Sequence, residues 1–193
     1  MTVIKSAAQW GPNVVSANAQ SFEAGFPGVW QLSGGQASAV GQSNGTTDPA
    51  NQGTFSCKHV RGTGTGSMSV NGNTEIPVVA NTLYVASYSV FTAVAAGVFH
   101  VKGEWYTSGQ VYISDFSPVW ANTAAVQNQW TYSVPSILAA SPATAAFARF
   151  NFEYVSGMAT GDTVFLDTIL LARQLSVPAP VSVLQSVNRA AVR

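Results

Sequence analysis

The sequence predicts an all-β fold, an antiparallel β-sandwich of jelly-roll type with extended N- and C-terminal arms. Three observations carry the prediction. Apolar and polar residues alternate with a period of two along most of the chain, and no convincing helical periodicity competes with it. Segments rich in Val, Phe, Tyr, Trp and Thr are separated by Gly, Asn, Pro and Ser, the residues that turns require. About ten short strands with turns between them fit a sandwich or jelly roll better than any α/β arrangement.

The strands are expected near 20–24, 28–33, 54–60, 66–71, 82–92, 97–107, 110–114, 129–134, 146–155 and 163–173. Asn71-Gly72-Asn73 and Ser108-Gly109 mark tight turns, where Gly and Asn accept positive φ. Trp30, Trp105 and Trp130 fall at core positions of this pattern. Residues 34–53 and 115–128 lie between strands as long polar loops, the second carrying Phe116, Pro118 and Trp120. Domain boundaries follow: an N-terminal arm over 1–17, the sandwich over 18–173, and a Pro-containing C-terminal arm over 174–193.

Composition narrows the partners. Only 8% of the 193 residues are charged, against roughly a quarter in an ordinary soluble domain, and Ser, Thr, Asn, Gln and Gly take their place. Eight basic residues cancel eight acidic ones without forming a basic patch, which argues against nucleic acid as a partner. No apolar run approaches the ~20 residues of a membrane-spanning helix, and the first residues lack a secretory leader pattern. The single Cys57 excludes an internal disulfide and a cysteine-based zinc cluster, and reads as a small half-buried filler. The Gly62-Thr-Gly64-Thr-Gly66 run lacks the Lys and the following helix of a phosphate loop and reads as a turn.

Three stretches stand out by their order and spacing. The first is Asn18-Ala-Gln-Ser-Phe22-Glu23-Ala-Gly25 with Gly28-Val-Trp30. The second is Tyr84-Val-Ala-Ser87 with Trp105-Tyr106-Thr-Ser-Gly109. The third pairs Trp130-Thr-Tyr132 with Ala146-Phe-Ala-Arg-Phe-Asn-Phe-Glu153 and closes on Val164-Phe-Leu-Asp167-Thr168. Together, over roughly 18–173, they resemble the carbohydrate-binding-module jelly rolls, which also recur in phage tail and capsid accessory proteins, with Thr168 in place of the family's second Asp. The resemblance implies that Glu23 and Asp167 help hold one structural calcium ion, unless each simply hydrogen-bonds loop backbone.

Alternation adds a candidate glycan face. Along 98–106, Phe99, Val101 and Trp105 point one way and His100, Lys102 and Glu104 the other; along 147–154, Arg149, Asn151 and Glu153 oppose Ala148, Phe150, Phe152 and Tyr154. In the resembled modules such strands line the concave sugar-binding surface, so these six polar residues are candidate sugar contacts, with Tyr106, Tyr112, Phe116 and Trp120 as candidate stacking aromatics. The competing reading is a solvated sheet face with cross-strand ion pairs.

His59 and His100, the two histidines, sit in no nucleophile-elbow or metalloprotease motif, and cross-strand pairing accounts for Glu104 and Glu153 without a catalytic role. The expectation is therefore a non-enzyme. A lone module with apolar arms and a polar, low-charge surface is expected to be a phage virion protein, a capsid decoration or tail-associated part that binds other virion subunits and itself. The other expectation is a module that attaches to cell-surface or environmental polysaccharide.

Overall fold

The computed structural model describes residues 9–15, 21–25, 30–33, 37–63, 69–72, 76–94, 98–116, 123–124, 126–132, 137–156 and 158–175. These residues form an antiparallel β-sandwich of jelly-roll type. The strands are β1 (Trp10–Asn13), β2 (Trp30–Ser33), β3 (Ala37–Gln42), β4 (Cys57–Arg61), β5 (Ser69–Gly72), β6 (Ile76–Pro77) and β7 (Leu83–Thr92). They continue as β8 (Val98–Tyr106), β9 (Tyr112–Asp115), β10 (Thr123–Ala124), β11 (Trp130–Tyr132), β12 (Ile137–Ala140), β13 (Phe147–Ser156) and β14 (Thr163–Gln174).

Sheet I runs β11-β7-β14-β4-β3, with β12 also on β7 and β1 also on β14; sheet II runs β10-β8-β13-β5-β2, with β9 also on β8 and β6 also on β13. Each sheet is organised around one pair of long central strands, β7 with β14 and β8 with β13. Their inward residues meet in one core: Tyr84, Ala86, Tyr88 and Val90 from β7, Trp105 from β8, Ala148, Phe150 and Phe152 from β13. Ring pairs bridge the two sheets, Tyr84 against Trp105 at 5.8 Å and Tyr88 against Phe152 at 6.4 Å between centroids. The buried Tyr84 hydroxyl accepts the Val79 N–H at 2.7 Å, so the ring enters the core without stranding its oxygen.

In β14 the inward phase changes. Val164 and Leu166 face the core, then Ile169 and Leu171, while the register against β7 passes from Asp167↔Ser89 to Leu170↔Ser87. One extra residue on β14 is a β-bulge, and Thr168 within it takes a positive φ of 50°, strained for a β-branched side chain.

Several expectations are corrected. Residues 21–25 form a turn rather than part of a strand, with Phe22 buried at φ 61°. The polar stretch 34–53 contains β3, paired with β4. Phe116 is a core residue at 1% exposure, stacked on Trp105 at 4.0 Å. It reaches there over Gly103, where any Cβ would overlap its ring. Trp130 is half-buried and pairs with Phe91, which in turn packs edge-on to Phe165. Part of the N-terminal arm joins the sandwich: β1 pairs with β14, Asn13 bonds the backbone of Ile169 and Leu171, and Val15 is buried. The rest of that arm and residues 176–193 lie outside the described residues, as does the Trp30 side chain.

Cys57 and His59, two apart on β4, are both buried, and the Cys57 Sγ lies 3.1 Å from His59 Nε2. The thiol is thus more deeply buried than the half-buried filler expected. Among the described residues His59 Nδ1 has no hydrogen-bond partner, and burial lowers the imidazole to a pKa of about 3. The imidazole is neutral in the fold and protonates freely once unfolded, so its contribution is intact above about pH 6.5 and is lost as pH falls toward 3. The expected slope is about 1.4 kcal/mol per pH unit. Urea denaturation of the wild type and His59→Leu from pH 4 to 7 checks it: the difference between their stabilities should change with that slope below pH 6, and parallel curves would refute it.

Candidate functional site

The outer face of sheet II is assembled by the β8–β13 register. Arg149 lies opposite Glu104, Asn151 opposite Lys102, and Glu153 opposite His100. The β8–β9 connection, closed by Thr107 N–H to the Val111 carbonyl with Gln110 at φ 62°, returns β9 so that Asp115 lies opposite Glu104 and Tyr112 opposite Tyr106. Five charged or aromatic side chains thereby interlock. Lys102 Nζ bridges Glu104 (3.2 Å) and Asp115 (3.0 Å). Tyr106 donates its hydroxyl to Glu104 at 2.7 Å, and Tyr112 donates to Asp115 at 2.8 Å. The hydrogen bond to Asp115, with help from Glu104, holds the Lys102 ammonium well above the ordinary lysine pKa despite partial burial.

Arg149 stacks its guanidinium over the Tyr106 ring at 4.1 Å, and Tyr106 meets Tyr112 edge-to-face at 5.9 Å. Burial and the bond to Glu104 raise the Tyr106 phenol, which is therefore a proton donor at neutral pH. The face thus combines two tyrosine rings, one of them half exposed, with fixed donors and acceptors.

Of the residues the sequence nominated for sugar contact, Lys102, Glu104, Tyr106, Arg149 and Asn151 share this face, Asn151 being largely buried. The backbones of His100 and Glu153 continue the same rows, but their side chains lie outside the described residues, as does all of Trp120. Asp115 was missed; counted outward from the Ser108-Gly109 turn it falls opposite Lys102, and a register shift between Trp105 and Tyr106 moves it opposite Glu104.

Glu23 and Asp167 act elsewhere, on sheet I. Asp167 Oδ2 accepts the Asn51 and Gln52 N–H groups at 2.8 and 2.9 Å, and Oδ1 accepts the Thr168 N–H at 2.7 Å. Glu23 Oε1 accepts the Thr54 and Phe55 N–H groups at 2.9 and 2.8 Å. Two carboxylates therefore tie the 51–55 segment, Asp167 at its start and Glu23 at its end. Burial raises the Asp167 carboxyl, opposed by its three backbone donors. Calcium requires six to eight acceptor oxygens, whereas three of these four carboxylate oxygens face N–H groups. Among the described residues no three His, Cys, Asp or Glu side chains gather into a metal-binding group. The contacts that Glu23 and Asp167 make among the described residues are those of loop tethers. Asp167→Ala should lower stability by about 3 kcal/mol by leaving three N–H groups unanswered. Adding EDTA to the wild type should leave Tm unchanged in calorimetry; a fall on chelation would contradict the assignment.

The geometry defines a jelly-roll sandwich with a decorated outer sheet, and solved structures share that fold. No protein-family model matches the chain, and no curated protein does. The CBM22-1 xylan-binding domain of Paenibacillus barcinonensis Xyn10C is similar at TM-score 0.59 and 19% identity, covering 88% of this chain and 99% of that one. TmCBM61 in complex with β-1,4-galactotriose is similar at TM-score 0.56 and 17% identity, covering 84% and 99%. The enzymatically active domain of bacteriophage CBA120 tailspike protein 4 is similar at TM-score 0.59 and 13% identity, covering 83% of this chain and 21% of that one. At these identities the likeness establishes the carbohydrate-binding-module-like fold.

Proposed function

We propose that this chain is a non-catalytic polysaccharide-binding module whose ligand lies on the β8–β9–β13 face. The observation that carries the reading is the joint placement of Tyr106, Tyr112 and Arg149 beside the Lys102–Glu104–Asp115 network. Pyranose C–H faces stack on tyrosine rings, and sugar hydroxyls exchange hydrogen bonds with charged groups. Because these side chains already hold one another, binding orders little that is not ordered beforehand. Similar folds bind xylan or β-1,4-galactotriose, which makes β-linked neutral glycans the first ligands to try. A glycosidase needs two carboxylates across the scissile bond. Glu104 and Asp115 instead sit on adjacent strands and share one ammonium, which favours binding without cleavage.

Calorimetric titration with xylohexaose and β-1,4-galactotriose tests the reading. One of the two should bind, Tyr112→Ala and Arg149→Ala should each weaken it at least tenfold, about 1.4 kcal/mol, and the sugar should be recovered uncut. Binding unaffected by both substitutions would sink it.

The tailspike likeness and the low-charge composition favour a compatible second reading, display of this module on a phage particle in several copies. Sedimentation should then find the full chain oligomeric and a chain lacking 176–193 monomeric; a monomeric full chain would count against it.

A further inference from the structure

A separate cleft of about 400 Å³ opens on sheet I, bounded by Tyr132 of β11, Asn51 and Gln52 of the tethered loop, and Ser87, Thr168 and Leu170 of β7 and β14. Its volume lies within the roughly 300–1,000 Å³ of small-molecule sites. Among the described residues no charged side chain lines it. The lining is instead hydroxyl, amide, aromatic ring and aliphatic carbon, the complement of a neutral polyhydroxylated molecule.

The polar groups are held in place. Asn51 donates its side-chain amide to Thr168 Oγ1 at 3.1 Å and to Ser89 Oγ at 3.3 Å, and accepts the Tyr132 hydroxyl at 3.0 Å. Ser89 and Thr168 hydroxyls bond each other. The Tyr132 ring, 58% exposed, is thereby tethered at its tip while its flank stays open. Among the described residues, the Ser87 hydroxyl and the Gln52 side-chain amide are not engaged by another side chain. The strained φ of Thr168 falls at this cleft, and the bonds to Asp167, Asn51 and Ser89 over-determine it. Strain retained that way is a mark of functional sites.

We infer that the Tyr132–Gln52–Ser87 cleft is a second glycan subsite, sized for one or two neutral sugar units, on the sheet opposite the β8–β13 face. The ligand class rests on the glycan-binding reading above, while the cleft stands on its own geometry. Tyr132 supplies the stacking surface, Ser87 and Gln52 the free donors and acceptors, and Leu170 a dry patch for a sugar C–H edge.

Amide NMR titration of the full ¹⁵N-labelled chain with xylohexaose and with β-1,4-galactotriose separates the two sites. The expected result is saturable shifts at Gln52, Ser87, Tyr132 and Thr168, removed by Tyr132→Ala and by Ser87→Leu, with shifts around Tyr112 and Arg149 retained. Shifts confined to Tyr112, Glu104 and Arg149 would overturn the second subsite and leave the proposed function standing. Shifts confined to the cleft would do the reverse. Saturable shifts at neither place would overturn both, and cleft shifts that persist unchanged in both variants would overturn the subsite.

Discussion

The carboxylate of Asp167 is the constraint on which sheet I depends. It sits at the β14 bulge, fully buried, and answers three backbone N–H groups at once. Two belong to the loop that crosses the sheet and one to Thr168, so a single side chain stabilises both the irregular strand and the segment packed over it. The bulge restores the inward phase of Ile169 and Leu171, which would otherwise turn out of the core. Glu23 repeats the device three residues further along the same loop, at Thr54 and Phe55. Both carboxylates hold the loop through its backbone amide groups.

The two outer faces consequently differ. Sheet I is partly roofed by the 44–56 segment, further pinned by Lys58 to Asp48 at 2.8 Å, and Lys58 also lies 5.7 Å above the Phe165 ring. Sheet II carries its charges half-buried on its outer face, locked to one another. In a chain with so few ionisable residues, Lys102, Glu104, Asp115 and Arg149 are concentrated on three neighbouring strands.

Much of this architecture was legible in alternation. Ala148, Phe150 and Phe152 against Arg149 and Asn151, and Trp105 against Lys102 and Glu104, divide inside from outside because strands alternate strictly. β3 was not legible: Ala-Ser-Ala-Val-Gly-Gln offers small side chains where pattern reading needs large ones. Phe116 misled because its burial depends on a missing Cβ at Gly103, a three-dimensional fact with no local signature. Phe22 lies in a turn although its neighbourhood has strand-like composition, since the turn is held by contacts remote in sequence, including the Gln42 amide on the Phe22 carbonyl. The importance of Glu23 and Asp167 could be inferred from resemblance. Their role as loop tethers required knowing which N–H groups face them, which pattern does not encode. The Tyr132 cleft was invisible for the same reason, as its walls come from four separate segments, at residues 51–52, 87–89, 132 and 168–170.

The chain's one thiol offers a different use. Cys57 is buried beside His59, and burial, with the nearby Asp167 charge, pushes it well above the ordinary thiol range, so the reactive thiolate is scarce in the native state. An alkylating reagent can reach it only when β4 parts from β14 and β3, its partners on either side. The rate at which the unmodified protein takes up such a reagent is therefore a built-in clock for the opening of the sandwich. A cysteine introduced on either outer face can be labelled selectively without first removing the native one.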